Sequence, residues 1–107
     1  MTDVWGALAQ SLPAATTLTD VYTVGASKRG TVEIIACNRS SSTTIRISHA
    51  IAGAADTGAQ YLIYDATLAA GETKVTTRFT VGAGDILRGY SASGAVAFNV
   101  NGIEEDA

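Results

Sequence analysis

The stretch TVEIIACNRSSSTTIRISHAI, residues 31–51, decides the fold because it joins two strand patterns through a turn. From Thr44 to Ile51, apolar residues and His49 occupy the odd positions, and polar residues and Ala50 occupy the even ones. A period of two is that of a strand with one buried face. The run before it, Thr31 to Asn38, is apolar almost throughout and is typical of a central strand. The Ser-rich residues between them supply a turn.

The same alternation recurs along the chain. We predict a strand over Thr73 to Val81 with its odd positions facing the core, and another over Ala95 to Asn101 with Val96 and Phe98 facing it. Shorter strands are predicted at Asp20 to Val24, Tyr61 to Asp65 and Ile86 to Ser91, and Val4 to Gln10 is either an eighth strand or an arm. The expected core contains Ile45, Ile47, Val75, Phe79, Val96 and Phe98.

Seven or eight short strands with turn residues at regular spacing predict an all-β protein, an antiparallel β-sandwich of jelly-roll type. The chain has 107 residues and no internal linker, so we expect a single domain over residues 1–107. Residues 1–19 are predicted to be either an N-terminal arm or the first strand.

Charge and composition exclude several classes of function. The net charge is −3, and the seven Lys and Arg residues are dispersed, so we expect no nucleic-acid binding. Neither a signal peptide nor an apolar run of membrane-spanning length is visible, and we expect no membrane partner. Cys37 is the only cysteine, which excludes an intrachain disulfide and fits a reducing compartment.

Two segments share one turn signature, Ala70-Gly71-Glu72 and Ala83-Gly84-Asp85. The second resembles a phosphate-binding loop, but such a loop needs a helix behind it, and residues 86–91 are strand-like. We therefore predict two turns without a bound phosphate, in which Glu72 and Asp85 accept hydrogen bonds from nearby backbone N–H groups.

Residues suited to catalysis are few. Cys37 and His49 could form a nucleophile and base, but no orienting third group is evident, and we expect both to be structural. One Cys and one His do not make a zinc site, and the carboxylates are scattered. We predict no enzyme activity, no catalytic residue, no cofactor and no metal. Asn38-Arg39-Ser40 matches a glycosylation sequon but is predicted to be a turn.

Three tyrosines, Tyr61, Tyr64 and Tyr90, are candidate glycan contacts, because aromatic rings on a sandwich face could stack on a sugar. The alternative is ordinary packing. Tyr61 and Tyr64 have opposite parity along a strand, so at least one of them should face away from the core.

The N-terminal segment carries Trp5, Leu8 and Leu12 without a regular alternation, and Pro13 interrupts it. An apolar arm of this kind could lie along the edge strand of a neighbouring subunit, which makes these three apolar residues the candidate assembly interface. The alternative is that the segment pairs with its own sandwich.

Segments over nearly the whole chain resemble, in their order, small virion proteins of tailed phages and of gene transfer agents. They are Leu8 to Val24, Cys37 to Ser40, Tyr61 to Asp65, Leu68 to Glu72, Gly82 to Ile86 and Phe98 to Glu104. Within this group the chain is most similar to a head-spike or fibre base protein, a small β-sandwich that assembles as a ring and joins a fibre to the particle. The resemblance implies a structural role, symmetric assembly and a place in the virion after synthesis in the bacterial cytoplasm.

The expected function is therefore a non-enzymatic structural component of a phage-like particle, at the capsid surface or vertex. A connector in the tail or baseplate is a variant of it. A carbohydrate-binding module that aids adsorption to host polysaccharide is the alternative. The expected partners are copies of the chain in a ring, capsid or fibre proteins and, under the alternative, host polysaccharide.

Overall fold

A computed structural model describes residues 3–107, and these residues form nine strands in two packed sheets. The strands are β1 (Val4–Ser11), β2 (Thr19–Thr23), β3 (Lys28–Asn38), β4 (Thr43–Ala50), β5 (Tyr61–Leu68), β6 (Thr73–Val75), β7 (Phe79–Val81), β8 (Ile86–Ser91) and β9 (Val96–Asp106). Two 3-10 turns, Ile51–Gly53 and Gly58–Gln60, are the helical segments of this range. No helix within residues 3–107 is long and apolar enough to cross a membrane.

The strand order is that of a jelly roll. One sheet has the order β1-β9-β3, with β6 and β7 both paired to β3, and the other has the order β2-β8-β4-β5. All pairings are antiparallel. When β6 and β7 are counted as one interrupted strand, the sandwich has the eight strands of a double-sheet jelly roll. The predicted antiparallel β-sandwich is confirmed.

Alternate residues of the central strands fill the space between the sheets. The core contains Val24, Val32, Ile34, Ala36, Ile45, Ile47, Leu68, Val81, Leu87, Val96, Phe98 and Val100. Four predicted core residues are in this set, and Phe79 packs against it. Gly89 gives the ring of Phe98 its space, because a Cβ at Gly89 would lie 3.1 Å from that ring.

The prediction for Val75 is wrong, because the strand expected over residues 73–81 is interrupted. Thr76 Oγ1 accepts a hydrogen bond from the Ile34 N–H at 2.9 Å, and the Thr76 N–H donates to Ile34 O at 3.0 Å. This contact inserts an irregular segment between β6 and β7. Phe79 and Val81 therefore pack inward, whereas Val75 pairs with Ile35 and is half exposed.

Several strand ends also differ from the prediction. The strand β4 stops at Ala50, so Ile51, expected to face the core, begins a 3-10 turn and is 71% exposed. The strands β3 and β9 extend further than predicted because their charged ends pair: Arg29 lies opposite Glu105, with 3.2 Å between Nε and Oε1. Charged ends lack the apolar alternation from which strands are recognised.

The N-terminal segment forms a strand of its own sandwich. Strand β1 pairs with β9 from Val4 opposite Glu104 to Ser11 opposite Phe98, with an irregularity at Leu8. This is the first-strand alternative of the sequence analysis. The pairing places β1 at an edge of its sheet.

Both acidic turns form as predicted, with the same hydrogen bonds. The Ala69 N–H donates to Glu72 Oε1 at 2.7 Å, and the Glu72 N–H donates back to Ala69 O at 3.0 Å. The Gly82 N–H donates to Asp85 Oδ2 at 2.9 Å, and the Asp85 N–H donates to Gly82 O at 3.1 Å. Strand β8, and not a helix, follows the second turn.

The sequon residue Asn38 ends β3 and is buried beneath the turn that follows. Its Nδ2 donates to Ser41 O at 2.9 Å, to Leu68 O at 3.0 Å and to Ala69 O at 3.1 Å, and its Oδ1 accepts from the Ser40 N–H. Since Asn38 is 1% exposed, its amide nitrogen is inaccessible to a glycosyltransferase in the folded protein.

Candidate functional surfaces

The two candidate catalytic residues lie in different sheets of the sandwich. Cys37 is partly exposed and alternates with the buried Ala36 and Asn38, so it faces outward from the first sheet. His49 lies in the second sheet with its ring centroid 5.6 Å from that of Phe79. The structure therefore does not form a pair of Cys37 and His49.

His49 contacts a buried carboxylate instead. His49 Nε2 lies 2.7 Å from Asp85 Oδ2, which also accepts from the Gly82 N–H, and Asp85 Oδ1 accepts from the Ala52 N–H at 2.8 Å. Burial alone would raise the pKa of Asp85, but the hydrogen bonds from Ala52, Gly82 and His49 hold that pKa below its ordinary value. Through these contacts Asp85 joins the 82–85 turn to β4 and to the segment after it. Within residues 3–107, no three His, Cys, Asp or Glu side chains are placed to hold a metal ion.

The three candidate tyrosines meet on the outer face of the second sheet, around Arg46. Arg46 Cζ lies 4.4 Å from the ring centroid of Tyr64 and 4.5 Å from that of Tyr90, so the guanidinium contacts both rings. The ring of Tyr61 packs against Tyr64 edge to face, with 4.9 Å between centroids and 83° between planes. We name Arg46, Tyr61, Tyr64 and Tyr90 the tyrosine face.

Irregular pairing between β4 and β5 explains how residues of opposite parity share this face. Arg46 pairs with Tyr64, and Ser48 pairs with Tyr61. On β4 one residue separates Arg46 from Ser48, whereas on β5 two residues separate Tyr61 from Tyr64. Leu62 is the extra residue, and such bulges redirect side chains locally. The alternation of apolar and polar residues in the sequence does not indicate where a bulge of this kind lies.

A second bulge residue, Asp65, holds the Arg46 guanidinium in place. Asp65 accepts from Arg46 Nε at 2.6 Å and from Nη2 at 3.2 Å, a two-point geometry that fixes the plane of the guanidinium. Hydrogen bonding to Asp65 raises the pKa of Arg46 above its ordinary value, although burial opposes it. Asp65 has a φ of 51°, a left-handed conformation that costs a residue with a side chain on the order of 1 kcal/mol. Sequence reasoning identified neither Arg46 nor Asp65 as a partner of the tyrosines.

A cleft of about 580 Å³ opens beside the tyrosine face, between β5 and the segment 56–58. Its lining consists of Arg46, Asp56, Thr57, Gly58, Tyr61 and Tyr64. The Tyr61 hydroxyl donates to Asp56 Oδ2 at 3.1 Å. Burial, and after it this hydrogen bond, raises the pKa of Tyr61. We name this feature the tyrosine cleft.

The outer wall of the tyrosine cleft is held by its own hydrogen bonds. Thr57 and Gln60 form a reciprocal capping box, and Gln60 Nε2 donates to Ala55 O at 2.8 Å. Arg88 ties the same segment to the sheet, since its Nη2 donates to Ala54 O at 3.2 Å while its Nε donates to Asp20. These contacts hold the wall in place.

The assembly candidates lie along the edge strand β1, in different environments. Trp5 is 75% exposed and borders a shallow depression lined by Arg78, Asn101 and Ile103, among others. Leu12, just beyond the strand, is 51% exposed. Leu8 instead packs against its own core.

A second apolar surface lies at the opposite edge of the sandwich. There a groove of about 430 Å³ runs between β5 and the β6–β7 segment. Its apolar lining is Leu62, Ile63, Val75 and Phe79, and Leu62 and Val75 are each about half exposed. We name it the far-edge groove. Sequence reasoning missed it because Val75 was expected to be buried.

Comparisons with known proteins assign no function to any of these surfaces. No family model matches the chain, and no curated protein matches it. Function is therefore inferred from the geometry of the edges and of the tyrosine cleft.

Proposed function

We propose that the protein is a non-enzymatic structural subunit of a phage-like particle, which assembles with copies of itself as a head-spike or fibre base at the capsid surface or vertex. The observation that carries the proposal is Trp5, a large aromatic side chain left 75% exposed on an edge strand. The resemblance to virion proteins supports a place in a phage-like particle. Jelly rolls also occur in viral capsid proteins, which is an argument by fold analogy.

The edge strand β1 carries no charged residue and no proline, and its one irregularity is at Leu8. Edge strands of soluble proteins are commonly protected by charged residues or proline, yet β1, VWGALAQS, contains neither. Burying the exposed part of Trp5 would contribute roughly 4 kcal/mol before the costs of association are subtracted. An uncharged edge that exposes a large aromatic side chain is suited to contact with a second copy.

The two apolar edges can be paired between copies. Trp5 projects from one edge, and the far-edge groove, lined by Leu62, Val75 and Phe79, lies at the other. A contact between unlike surfaces of identical chains is heterologous, and it forms a closed ring when the rotation between neighbouring copies divides a full turn evenly. This arrangement accounts for a ring without any segment exchanged between subunits.

The first test of self-assembly is light scattering of the full chain after size exclusion at micromolar concentration. We expect the wild type to be oligomeric and Trp5→Glu to be monomeric, because the substitution places a charge at the contact. Ile51→Glu is the matched control: Ile51 is 71% exposed but lines neither the depression at Trp5 nor the far-edge groove, so this variant should assemble as the wild type does. A monomeric wild type would contradict self-assembly.

The place in the particle is tested by electron microscopy. When the protein is labelled, we expect the label at the head of the particles. Particles made without the protein should lack a surface feature at that place. Labelling confined to the tail would support the connector variant instead. Particles that contain no copy of the chain would exclude a virion role.

A further inference from the structure

We propose that the tyrosine cleft binds an uncharged hexose residue of a polysaccharide. None of its lining residues lines the far-edge groove or the depression at Trp5, so this inference is separate from self-assembly. It also goes beyond the structural role proposed above, because it assigns a ligand class to a defined site.

The geometry of the cleft favours binding over simple packing. Tyr64 remains 59% exposed although it sits in the middle of an aromatic group, and core packing does not explain this position. Asp65 is held in a left-handed conformation while it clamps Arg46 under the Tyr64 ring. Strained residues and bulges concentrate at binding sites, where the surrounding structure maintains them.

The chemistry of the lining selects a ligand that is apolar on one face and rich in hydroxyl groups. The tyrosine rings present faces with negative partial charge, to which the C–H groups of a sugar ring are attracted. Asp56 lies at the cleft with acceptor oxygens, and Thr57 and Arg46 add polar groups around the rings. A cleft of about 580 Å³ that combines two tyrosine rings with convergent polar groups has the size of a small-ligand site.

The charges around the cleft argue against an anionic ligand. The positive charge of Arg46 is already paired with Asp65, and Asp56 adds a second carboxylate. Arg88 at the wall is paired with Asp20, so Arg46 beside Asp65 and Asp56 leaves the region with a negative formal charge, which repels phosphates and acidic sugars. A proline-rich peptide could also lie on aromatic rings, but it carries no hydroxyl groups to donate to Asp56.

The test is isothermal titration calorimetry of the full chain with soluble fragments of dextran, mannan and galactan as uncharged probes. Polygalacturonate fragments and a proline-rich peptide are the competing probes. We expect saturable binding of at least one uncharged probe and none of the competing probes. Tyr64→Ala should weaken that binding about tenfold or more. Because Tyr64 is largely exposed, this variant should remain folded.

Two further variants make the result specific. Asp56→Asn should also weaken binding, since it replaces an acceptor oxygen by a donor. Tyr22→Phe, which alters a tyrosine bonded to Glu104 away from the cleft, should bind as the wild type does. The proposal is overturned if no uncharged probe binds, if the acidic probe or the peptide binds in its place, or if Tyr64→Ala retains full affinity.

Discussion

At the scale of single residues, buried side chains that bond to backbone groups of distant segments hold the loops in place. Asn38 connects β3 to the turns around Ser41 and Ala69, and Asp85 connects two loops through Ala52 and Gly82. Unpaired, those backbone groups would each cost about 1–3 kcal/mol in the buried state. A polar residue of this kind therefore contributes to stability through its hydrogen bonds.

Because of Asp85, the stability of the fold should change with pH in the acid range. Its pKa is lower in the folded state than in the unfolded chain, so its contribution is fully present above the unfolded pKa of about 4. That contribution is lost as the pH falls through the lowered folded pKa. We expect Asp85→Asn to lose about 2 kcal/mol of unfolding free energy at pH 7 relative to the wild type.

The difference between the two proteins should shrink below about pH 4, because the wild type then loses the charge of Asp85 as well. Urea denaturation at a series of pH values measures it. A difference that stays unchanged down to about pH 3 would show that the folded pKa is not lowered.

Single-residue roles were only partly predictable from the sequence. The acidic turns were predicted because Ala-Gly-Glu and Ala-Gly-Asp form local hydrogen bonds, which depend on neighbours in sequence. Tyr61, Tyr64 and Tyr90 were identified as candidates from their residue type. Their partners Arg46 and Asp65 were not, since that contact depends on the register between two strands.

At the scale of elements, the strand β9 lies so close to β3 that a side chain is excluded at one position. A Cβ at Gly102 would lie 2.1 Å from Thr31 O and 2.9 Å from Val32 Cα. Both contacts are with backbone, which cannot move aside without disturbing the ladder. We expect Gly102→Ala to lower the unfolding free energy by at least about 2 kcal/mol.

Gly58→Ala is the control for that prediction, because a Cβ at Gly58 meets nothing within 4 Å. Its unfolding free energy should stay within about 0.5 kcal/mol of the wild type or rise slightly. Urea denaturation followed by far-UV circular dichroism compares the two variants. Equal stability of Gly102→Ala and Gly58→Ala would contradict the close approach of β9 to β3.

Strands with one buried face were predictable, and interrupted or charged ones were not. The strand β8 has the predicted bounds, Ile86–Ser91, because inward and outward residues alternate throughout. The strand predicted over residues 73–81 fails at Thr76, whose hydrogen bonds to Ile34 form only in the folded sandwich. The pairing of Arg29 with Glu105 likewise depends on the sheet.

At the scale of the whole molecule, the two sheets leave apolar side chains at opposite edges. Trp5 lies at the edge formed by β1, and Val75 lies at the far-edge groove. The jelly-roll architecture followed from strand count and alternation, but the exposed edges did not, because they depend on the order of strands in each sheet. Head-to-tail assembly through these edges is the central claim of the proposed function.

A mixing experiment tests that claim most directly, with light scattering of Trp5→Glu and Val75→Glu separately and together. Each variant has one intact edge, and we expect each alone to be monomeric. Their mixture should form a heterodimer, because the intact Trp5 of one variant meets the intact groove of the other. A mixture that stays monomeric while the wild type is oligomeric, or a Val75→Glu variant that assembles by itself, would contradict the head-to-tail contact.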